Sequence, residues 1–254
     1  MKRQAAIIVL IIIGSLSWAE GDPKELLRSV DRLVSFQDSD FSAEYLIVQN
    51  KAGEGVDSTQ AVIFRRDGAN KYLILILAPV VDRGKGYLKI DDSLWLYDPV
   101  SRKFTFTSSK ERFRNSNARN SDFTRSSFAR DYDIVRVGRE KLGKFDCTVL
   151  DLKANNNEVT FPITKLWISN DSLVRKSEDY SLSGQLLRTI LIPTYQGIGG
   201  RFVPVTIIIA DQLKGRKIEG KFVGDRTQIT ITKPSLEKLP DNLFTKTYLE
   251  KVGK

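Results

Sequence analysis

Side chains that commonly carry out catalysis are scarce in this sequence of 254 residues. It contains no histidine, which excludes Ser-His-Asp and Cys-His catalysis and histidine-ligated zinc. The single cysteine, Cys147, lies in a segment of alternating apolar residues and is predicted to be a small buried residue rather than a nucleophile. The carboxylates form no recognisable motif, and neither glycine-rich phosphate-binding motif occurs. We therefore predict that the protein is not an enzyme and uses no metal or cofactor.

Positive charge is concentrated in residues 101–130. This segment has eight Lys or Arg residues and two acids, so its net charge is +6, whereas that of the whole chain is +9. A basic rim around a binding site is predicted at Arg102, Arg112, Arg114, Arg119 and Arg125. These guanidinium groups could bind phosphate headgroups or an acidic partner through charge-assisted hydrogen bonds. The alternative is a solvated loop that charge keeps soluble.

The first residues have the pattern of an export signal. Lys2 and Arg3 precede an apolar run over residues 5–16, and Ser17-Trp-Ala19 offers small residues at a cleavage site. The run is too short to cross a bilayer. We predict a cleaved signal peptide, residues 1–19, and one mature domain, residues 20–254. With Cys147 far from the cleavage site, the product is expected to be soluble in the periplasm and not lipid-anchored.

The predicted export favours some partners of the basic segment over others. An exported protein rarely meets nucleic acid, so we predict no nucleic-acid partner. An anionic membrane surface or an envelope protein is the expected partner, because each Lys or Arg near such a membrane contributes roughly 1 kcal/mol.

Periodicity predicts one long helix followed by many strands. Residues 22–34 have apolar residues at helical spacing, with Asp22 as N-cap and Pro23 in the first turn. From Phe41 onward the period is two, interrupted by a long loop over residues 110–130. Segment 72–78 is apolar on both faces, which indicates cover on both sides. Near the C-terminus a strand is predicted over 216–223 with a turn at Gly224-Asp225, and a short helix capped by Asp241.

Together these elements predict a mainly β (α+β) fold: one strongly curved antiparallel sheet of about eleven strands, with an N-terminal helix and a few short helices. Such a sheet has an inner face to fill. Side chains can fill it completely, or they can leave a cavity for an apolar ligand. The residues by themselves favour the filled core.

Several separate segments resemble the outer-membrane lipoprotein-sorting protein family, which has the LolA/LolB-like fold. In the first half these are Trp95-Leu-Tyr-Asp-Pro99 with Arg102, Asn120-Ser-Asp-Phe-Thr124 and Tyr132-Asp133. In the second half they are Leu166-Trp-Ile168, Tyr180, Gly184-Gln-Leu-Leu187, Gly200-Arg-Phe-Val-Pro204 and Leu243-Phe-Thr-Lys-Thr-Tyr-Leu249. The family usually has glycine where Asn120 stands. The resemblance covers nearly all of residues 20–254, in the family's order.

This resemblance implies an incomplete, half-open β-barrel with helices as a lid, enclosing an apolar cavity that holds acyl chains of lipoproteins in transit across the periplasm. A dry pocket is sufficient for such a ligand, since burying an acyl chain contributes roughly 0.8 kcal/mol per CH₂. The predicted cavity residues are the aromatic and aliphatic ones with a possible inward orientation: Tyr72, Ile74, Ile76, Tyr87, Leu94, Trp95, Tyr97, Phe104, Phe106 and Trp167. Each of them is individually more often a packing residue.

Three functions remain open at this stage. The first is a periplasmic carrier that binds lipoprotein acyl chains or phospholipid and shields them during transfer toward the outer membrane. The second is an envelope sensor or interaction module on the same fold, without cargo transport. The third and least favoured is a lipid hydrolase, because no nucleophile and base can be paired without histidine.

Overall fold

The computed structural model describes residues 22–253. They form three α-helices and thirteen strands, and all the strands belong to one antiparallel sheet. This confirms the predicted curved, half-open antiparallel sheet, with thirteen strands in place of about eleven. Among these residues no helix is long and apolar enough to cross a membrane.

The helices are α1 (Pro23–Val34), α2 (Phe128–Asp131) and α3 (Lys246–Val252). The strands of the first half are β1 (Phe41–Lys51), β2 (Gly55–Arg66), β3 (Lys71–Ala78), β4 (Gly86–Ile90), β5 (Ser93–Asp98) and β6 (Lys103–Thr107). Those of the second half are β7 (Tyr132–Leu142), β8 (Phe145–Ala154), β9 (Ile163–Ser169), β10 (Val174–Tyr180), β11 (Leu186–Ile198), β12 (Arg201–Ile218) and β13 (Lys221–Ser235).

The sheet consists of two meanders, which are joined by pairing between the first strand of the chain and the last. Strands β1 to β6 follow one another on one side, β7 to β13 follow one another on the other, and β1 pairs with β13. The two free edges are therefore β6 and β7, although these strands are consecutive in the chain. Residues 108–131, which we call the crossover segment, run from one free edge to the other across the open side of the sheet.

Helix α1 forms as predicted and covers the inner face of the second half. Asp22 caps it, since its Oδ1 accepts a hydrogen bond from the backbone N of Lys24 at 2.9 Å. Leu27 and Val30 are buried and pack with Leu150 and Leu166, which lie on β8 and β9. The apolar stripe read from the sequence is thus the contact between the helix and the sheet.

The crossover segment fills the inner face of the first half. Phe113 is completely buried, with its ring centroid 4.8 Å from that of Tyr87 and 4.6 Å from that of Phe123. Ile74 and Ile76 of β3 belong to the same apolar cluster. The segment predicted as a long loop is therefore part of the core, because its aromatic side chains turn inward while its backbone spans the opening.

The outer face of the first half is covered by the C-terminal residues. Leu73 and Leu88 face outward and pack with Phe244 and with Leu249 of α3. This is the second cover that segment 72–78 requires. The prediction of an Asp241 cap is wrong: Thr245 caps α3 by accepting a hydrogen bond from the backbone N of Tyr248 at 3.1 Å, and Asp241 pairs with Arg66.

The predicted strand over residues 216–223 is also wrong. Ile218 pairs with Lys221, so the chain reverses at Glu219-Gly220, and Gly224 and Asp225 lie inside β13. Both Glu219 and Gly220 have positive φ angles, 49° and 77°, as a tight two-residue hairpin turn requires. The apolar and basic residues on both sides of the reversal have the same strand-like alternation, which concealed the turn.

Replacing Phe113 by alanine tests the packing role of the crossover segment. We expect the free energy of unfolding to fall by about 3–5 kcal/mol, because a completely buried ring leaves a cavity. Phe106→Ala is the matched control: Phe106 is 65% exposed, so its loss should change stability by less than about 0.5 kcal/mol. Urea denaturation of both variants measures the difference, and equal effects would contradict the inward position of Phe113.

Candidate functional site

A cavity of about 490 Å³ lies on the inner face of the sheet, between the strands, α1 and the second half of the crossover segment. Val30 and Val34 line it from α1, and Phe123 and Phe128 line it from the crossover segment. Its volume is within the range usual for small-molecule pockets. The cavity is thus bounded, and left partly open, by the elements that the chain lays over the sheet.

Isoleucines from three neighbouring strands form the apolar floor of the cavity. They come in pairs two residues apart, as side chains on one face of a strand must. The pairs are Ile190 and Ile192 on β11, Ile207 and Ile209 on β12, and Ile229 and Ile231 on β13. Ile190 pairs with Ile209 and Ile207 pairs with Ile229 across the strands, so the floor is continuous.

One polar wall of the cavity is an ion network that holds the crossover segment. The guanidinium group of Arg188 donates to both carboxylate oxygens of Asp122, at 2.7 and 2.8 Å, and to Asp179 at 2.7 Å. Thr164 donates a further hydrogen bond to Asp179 at 2.8 Å. Burial by itself lowers the pKa of Arg188, but the two carboxylates raise it more, so the group stays charged. Asp122 belongs to the Asn120-Ser-Asp-Phe-Thr124 element, which this network fixes against β10 and β11.

A second polar wall contains a lysine that forms no ion pair with an acidic side chain in the part of the chain that the structure describes. Lys89 on β4 is buried, lines the cavity, and donates a hydrogen bond from Nζ to Asn70 Oδ1 at 2.6 Å. Burial is the main cause that lowers its pKa below the ordinary 10.5; Asp92 and Asp91 oppose that shift, and Arg125 and Arg130 add to it. The charged form of Lys89 is therefore maintained at a cost to stability.

The end of the crossover segment is attached to α1 through a half-buried carboxylate. Asp31 accepts hydrogen bonds from the backbone N of Phe128 and of Ala129 at 3.0 and 2.8 Å, and from Ser126 Oγ at 2.5 Å. Burial is the main cause that raises the pKa of Asp31, against these hydrogen bonds. Helix α1 and α2 are therefore one connected cover over the cavity.

The ten residues predicted from the sequence for an apolar cavity do not line this one. Strand register divides them into two groups of five. Those on the inner face pack under the crossover segment: Tyr72, Ile74, Ile76, Tyr87 and Leu94. Those on the outer face are Trp95, Tyr97, Phe104, Phe106 and Trp167. The cavity is instead in the half of the sheet that contains β10 to β13.

Alternation along the strands explains the outward group, and β5 is an example. Leu94 and Trp95 are neighbours in one strand, so they must point to opposite faces. Trp95 contacts Phe106 edge-on at 5.6 Å between ring centroids, and Lys246 of α3 lies 4.3 Å above the Trp95 ring. Trp167 donates its indole N–H to Glu140 at 2.7 Å. Both faces of β5 are apolar because each has its own cover.

Four of the five arginines predicted for a basic rim bind other groups of the same protein. Arg112 pairs with Asp211 at 2.5 Å, and Arg114 pairs with Asp82. Arg119 and Arg125 donate to the backbone carbonyls of Lys110 and Asp67, at 3.2 and 3.3 Å. Arg125 is the member of the set that lines the cavity, and Arg102 is exposed at the turn between β5 and β6. Three of the five arginines lie in the part of the crossover segment away from the cavity.

Sequence reasoning missed the isoleucine floor and the ion network. The isoleucine pairs were visible as a period of two in three predicted strands, which is the signal that could have found them. The ion network has no such signal in the sequence. Asp122 and Arg188 are 66 positions apart, and no local pattern distinguishes them from other charged residues. Cys147 is buried, as predicted, and among residues 22–253 no cluster of metal-ligating side chains occurs.

Comparison with known proteins agrees with this geometry. A LolA superfamily protein from Nitrosomonas europaea is 26% identical over 89% of this chain and 98% of its own, with a TM-score of 0.74. A DUF1329 family protein from Desulfovibrio piger is 20% identical, with a TM-score of 0.77, and covers 89% of this chain and 97% of its own. A domain assigned to outer-membrane lipoprotein sorting, from Vibrio parahaemolyticus, is 18% identical over 89% and 97% of the two chains, with a TM-score of 0.76. No curated protein matches the chain.

The open antiparallel sheet, with a cavity on its inner face beneath α1 and the crossover segment, is the arrangement of the LolA-like fold. A family model described as "Uncharacterized protein" matches residues 68–251, which is most of the chain. The chain belongs to this LolA-like family. The resemblance seen in the separate sequence segments is thereby confirmed.

Replacing Lys89 by methionine tests the cost of the buried charge. At pH 7 we expect the free energy of unfolding to rise by about 1 kcal/mol, because a chain of similar length replaces a poorly paired cation. The wild-type pKa is lower in the folded state, so wild-type stability increases as pH rises through the folded pKa toward 10.5, and the advantage of the variant shrinks there. Denaturation at several pH values measures this. Lys103→Met, at an exposed position, is the control, and a destabilised Lys89→Met would contradict the expectation.

Replacing Asp122 by asparagine tests the ion network. The change leaves Arg188 with one carboxylate in a buried site, and we expect the free energy of unfolding to fall by about 3 kcal/mol. Asp133→Asn is a matched control, because Asp133 is exposed at the start of β7. Thermal unfolding of the two variants distinguishes them. Similar melting temperatures for both would mean that the crossover segment does not depend on this contact.

Proposed function

We propose that the protein is a periplasmic carrier that holds acyl chains of a lipoprotein or related lipid in its cavity during transfer toward the outer membrane. The observation that supports this most directly is the isoleucine floor, since six branched apolar side chains line a space of about 490 Å³. Filling such a space with methylene groups contributes roughly 0.8 kcal/mol for each CH₂. Binding energy of this kind requires neither histidine nor metal.

The composition of the cavity wall supports an amphiphilic ligand over a purely apolar one. The floor is apolar, whereas the opposite walls carry Lys89, Arg125 and the network around Arg188. An acyl chain on the isoleucines would leave a polar headgroup near these hydrogen-bond donors. This division agrees with a lipid or an acylated peptide as the cargo.

The location in the periplasm rests on the sequence pattern of residues 1–19, which lie outside the described residues. The family relationship agrees with it, because related structures include a domain assigned to outer-membrane lipoprotein sorting. Export of the full-length chain and the mass of the mature protein test this part of the proposal independently of lipid binding.

Replacing Ile207 by tryptophan tests the carrier function. The larger ring should occupy the cavity and weaken binding of a fluorescent fatty acid by about tenfold or more, since single methylenes already change affinity in apolar pockets. Ile208→Trp is the matched control, because the adjacent residue points to the outer face of the same strand. Native mass spectrometry of the exported proteins measures bound lipid in each.

The expected result is copurified lipid in the wild type and in Ile208→Trp, and little or none in Ile207→Trp. A wild-type protein that is empty and does not bind the fluorescent probe would contradict the carrier proposal. That outcome would favour an interaction module in which the cavity is not a cargo site.

A further inference from the structure

A two-stranded ribbon, residues 212–224, extends beyond the rest of the sheet. The pairing of β12 with β11 ends at Asp211 and Arg188, and the pairing of β13 with β1 ends at Arg226 and Asn50. Beyond these points β12 and β13 pair with each other, and no other described strand pairs with either. The guanidinium group of Arg216 lies against Gly53 in the turn between β1 and β2. A two-stranded hairpin by itself is marginally stable in water, so its projection from a large sheet calls for a physical explanation.

The base of the ribbon is built as a fixed bend. The carboxylate of Asp211 accepts hydrogen bonds from the backbone N of Leu213 and of Lys214 at 2.8 and 2.7 Å, while its other oxygen pairs with Arg112. At the crossing of the two strands, a Cβ on Gly215 would lie 2.2 Å from the carbonyl oxygen of Val223, and one on Gly224 would lie 2.1 Å from that of Asp211. Only glycine permits this approach, so the ribbon projects in a defined direction.

Large apolar side chains are exposed along the ribbon. Leu213 is 53% exposed, Phe222 48%, and Ile218 and Val223 about equally at 40% and 41%. Register places Ile218 and Val223 on one face and Phe222 on the other. Exposed apolar residues grouped in this way mark a contact site, since single scattered ones are normal but a cluster is not.

Cations alternate with these apolar residues. The ribbon carries Lys214, Arg216, Lys217 and Lys221 against one acid, Glu219, so its net charge is +3. Among residues 22–253 the three lysines form no ion pair with an acidic side chain. On β7, where Val135 and Val137 are also exposed, Arg136 and Lys141 pair with acidic side chains. The ribbon therefore combines exposed apolar side chains with lysines that have no acidic partner among residues 22–253.

We propose that the ribbon is the membrane-docking element of the protein, and that it inserts its apolar side chains into the interface of a bilayer that contains anionic lipid. Charge complementarity favours this partner: lysines near anionic headgroups are attracted strongly, whereas lysine is depleted in protein interfaces. Apolar residues on both faces suit insertion into the interface, where lipid surrounds the inserted hairpin.

Cosedimentation with lipid vesicles tests the docking element in the full-length mature protein. The wild type should bind vesicles of phosphatidylcholine with phosphatidylglycerol and release them at high salt, and it should bind pure phosphatidylcholine weakly. The double variant K214Q/K217Q should lower affinity for the anionic vesicles about 30-fold, from the usual contribution of each cation. The double variant F222S/V223S should lower it about tenfold or more at low salt, through lost apolar burial.

Matched controls separate the ribbon from general charge and hydrophobicity. K141Q/K144Q removes two exposed lysines from β7 and the adjoining turn, and V135S/V137S removes two exposed apolar residues from β7. Both should bind vesicles like the wild type. Ile207→Trp should also bind vesicles normally, which separates docking from cargo binding. Equal binding to neutral and anionic vesicles, or equal losses in ribbon and control variants, would overturn the proposal.

Discussion

The two free edges of the sheet are consecutive strands in the chain, so the segment between them must pass across the open side of the barrel. Much of the remaining structure follows from this requirement. The segment cannot cross as an unsupported loop, because its backbone polar groups need partners and its apolar residues need cover. It meets both needs by turning Phe113 and Phe123 inward and by anchoring to the sheet at several points. The backbone N of Asn117 donates to Gln49 and Thr227, Arg112 pairs with Asp211, and Asp122 binds Arg188.

The division of the interior into a filled half and an open half results from where this segment lies. Under β3 to β5 its aromatic rings occupy the space that a ligand would need. At β11 to β13 the segment is held by polar contacts with Arg188, Asp211 and Thr227. There α1 and the later part of the crossover segment bound the cavity. A small barrel can have either a filled core or a cavity. In this protein both occur together, in different halves of the sheet. The open half has the branched aliphatic side chains, which give an apolar surface with few polar atoms.

More of the fold than of the site could be predicted from the sequence. A stripe of apolar residues fixes α1, and a period of two fixes the strands, since both are local consequences of backbone geometry. The orientation of each aromatic residue could not be predicted where both faces of a strand are apolar, as in Leu94-Trp-Leu-Tyr97. The partners of the arginines could not be predicted from the sequence either, because Asp211 is 99 positions from Arg112 and no local pattern links them. The positive charge counted in residues 101–130 was real, but carboxylates and carbonyls of the same protein bind most of its arginines.

The pairing of β1 with β13 has a consequence for how the chain reaches its final state. These strands are joined edge to edge by a register that runs from Ser42 to Asn50 on one side and from Ser235 to Arg226 on the other. Because β1 and β13 are far apart in the sequence, their pairing is slow to form: a long stretch of chain must be ordered before the two strands meet. Until β13 arrives, β1 presents unpaired backbone groups and the alternating apolar residues Tyr45 and Ile47 at an open edge, which is a template for pairing with a second chain. The halves can each assemble as local hairpins, but β1 remains an open edge until β13, the last long strand in the sequence, is available.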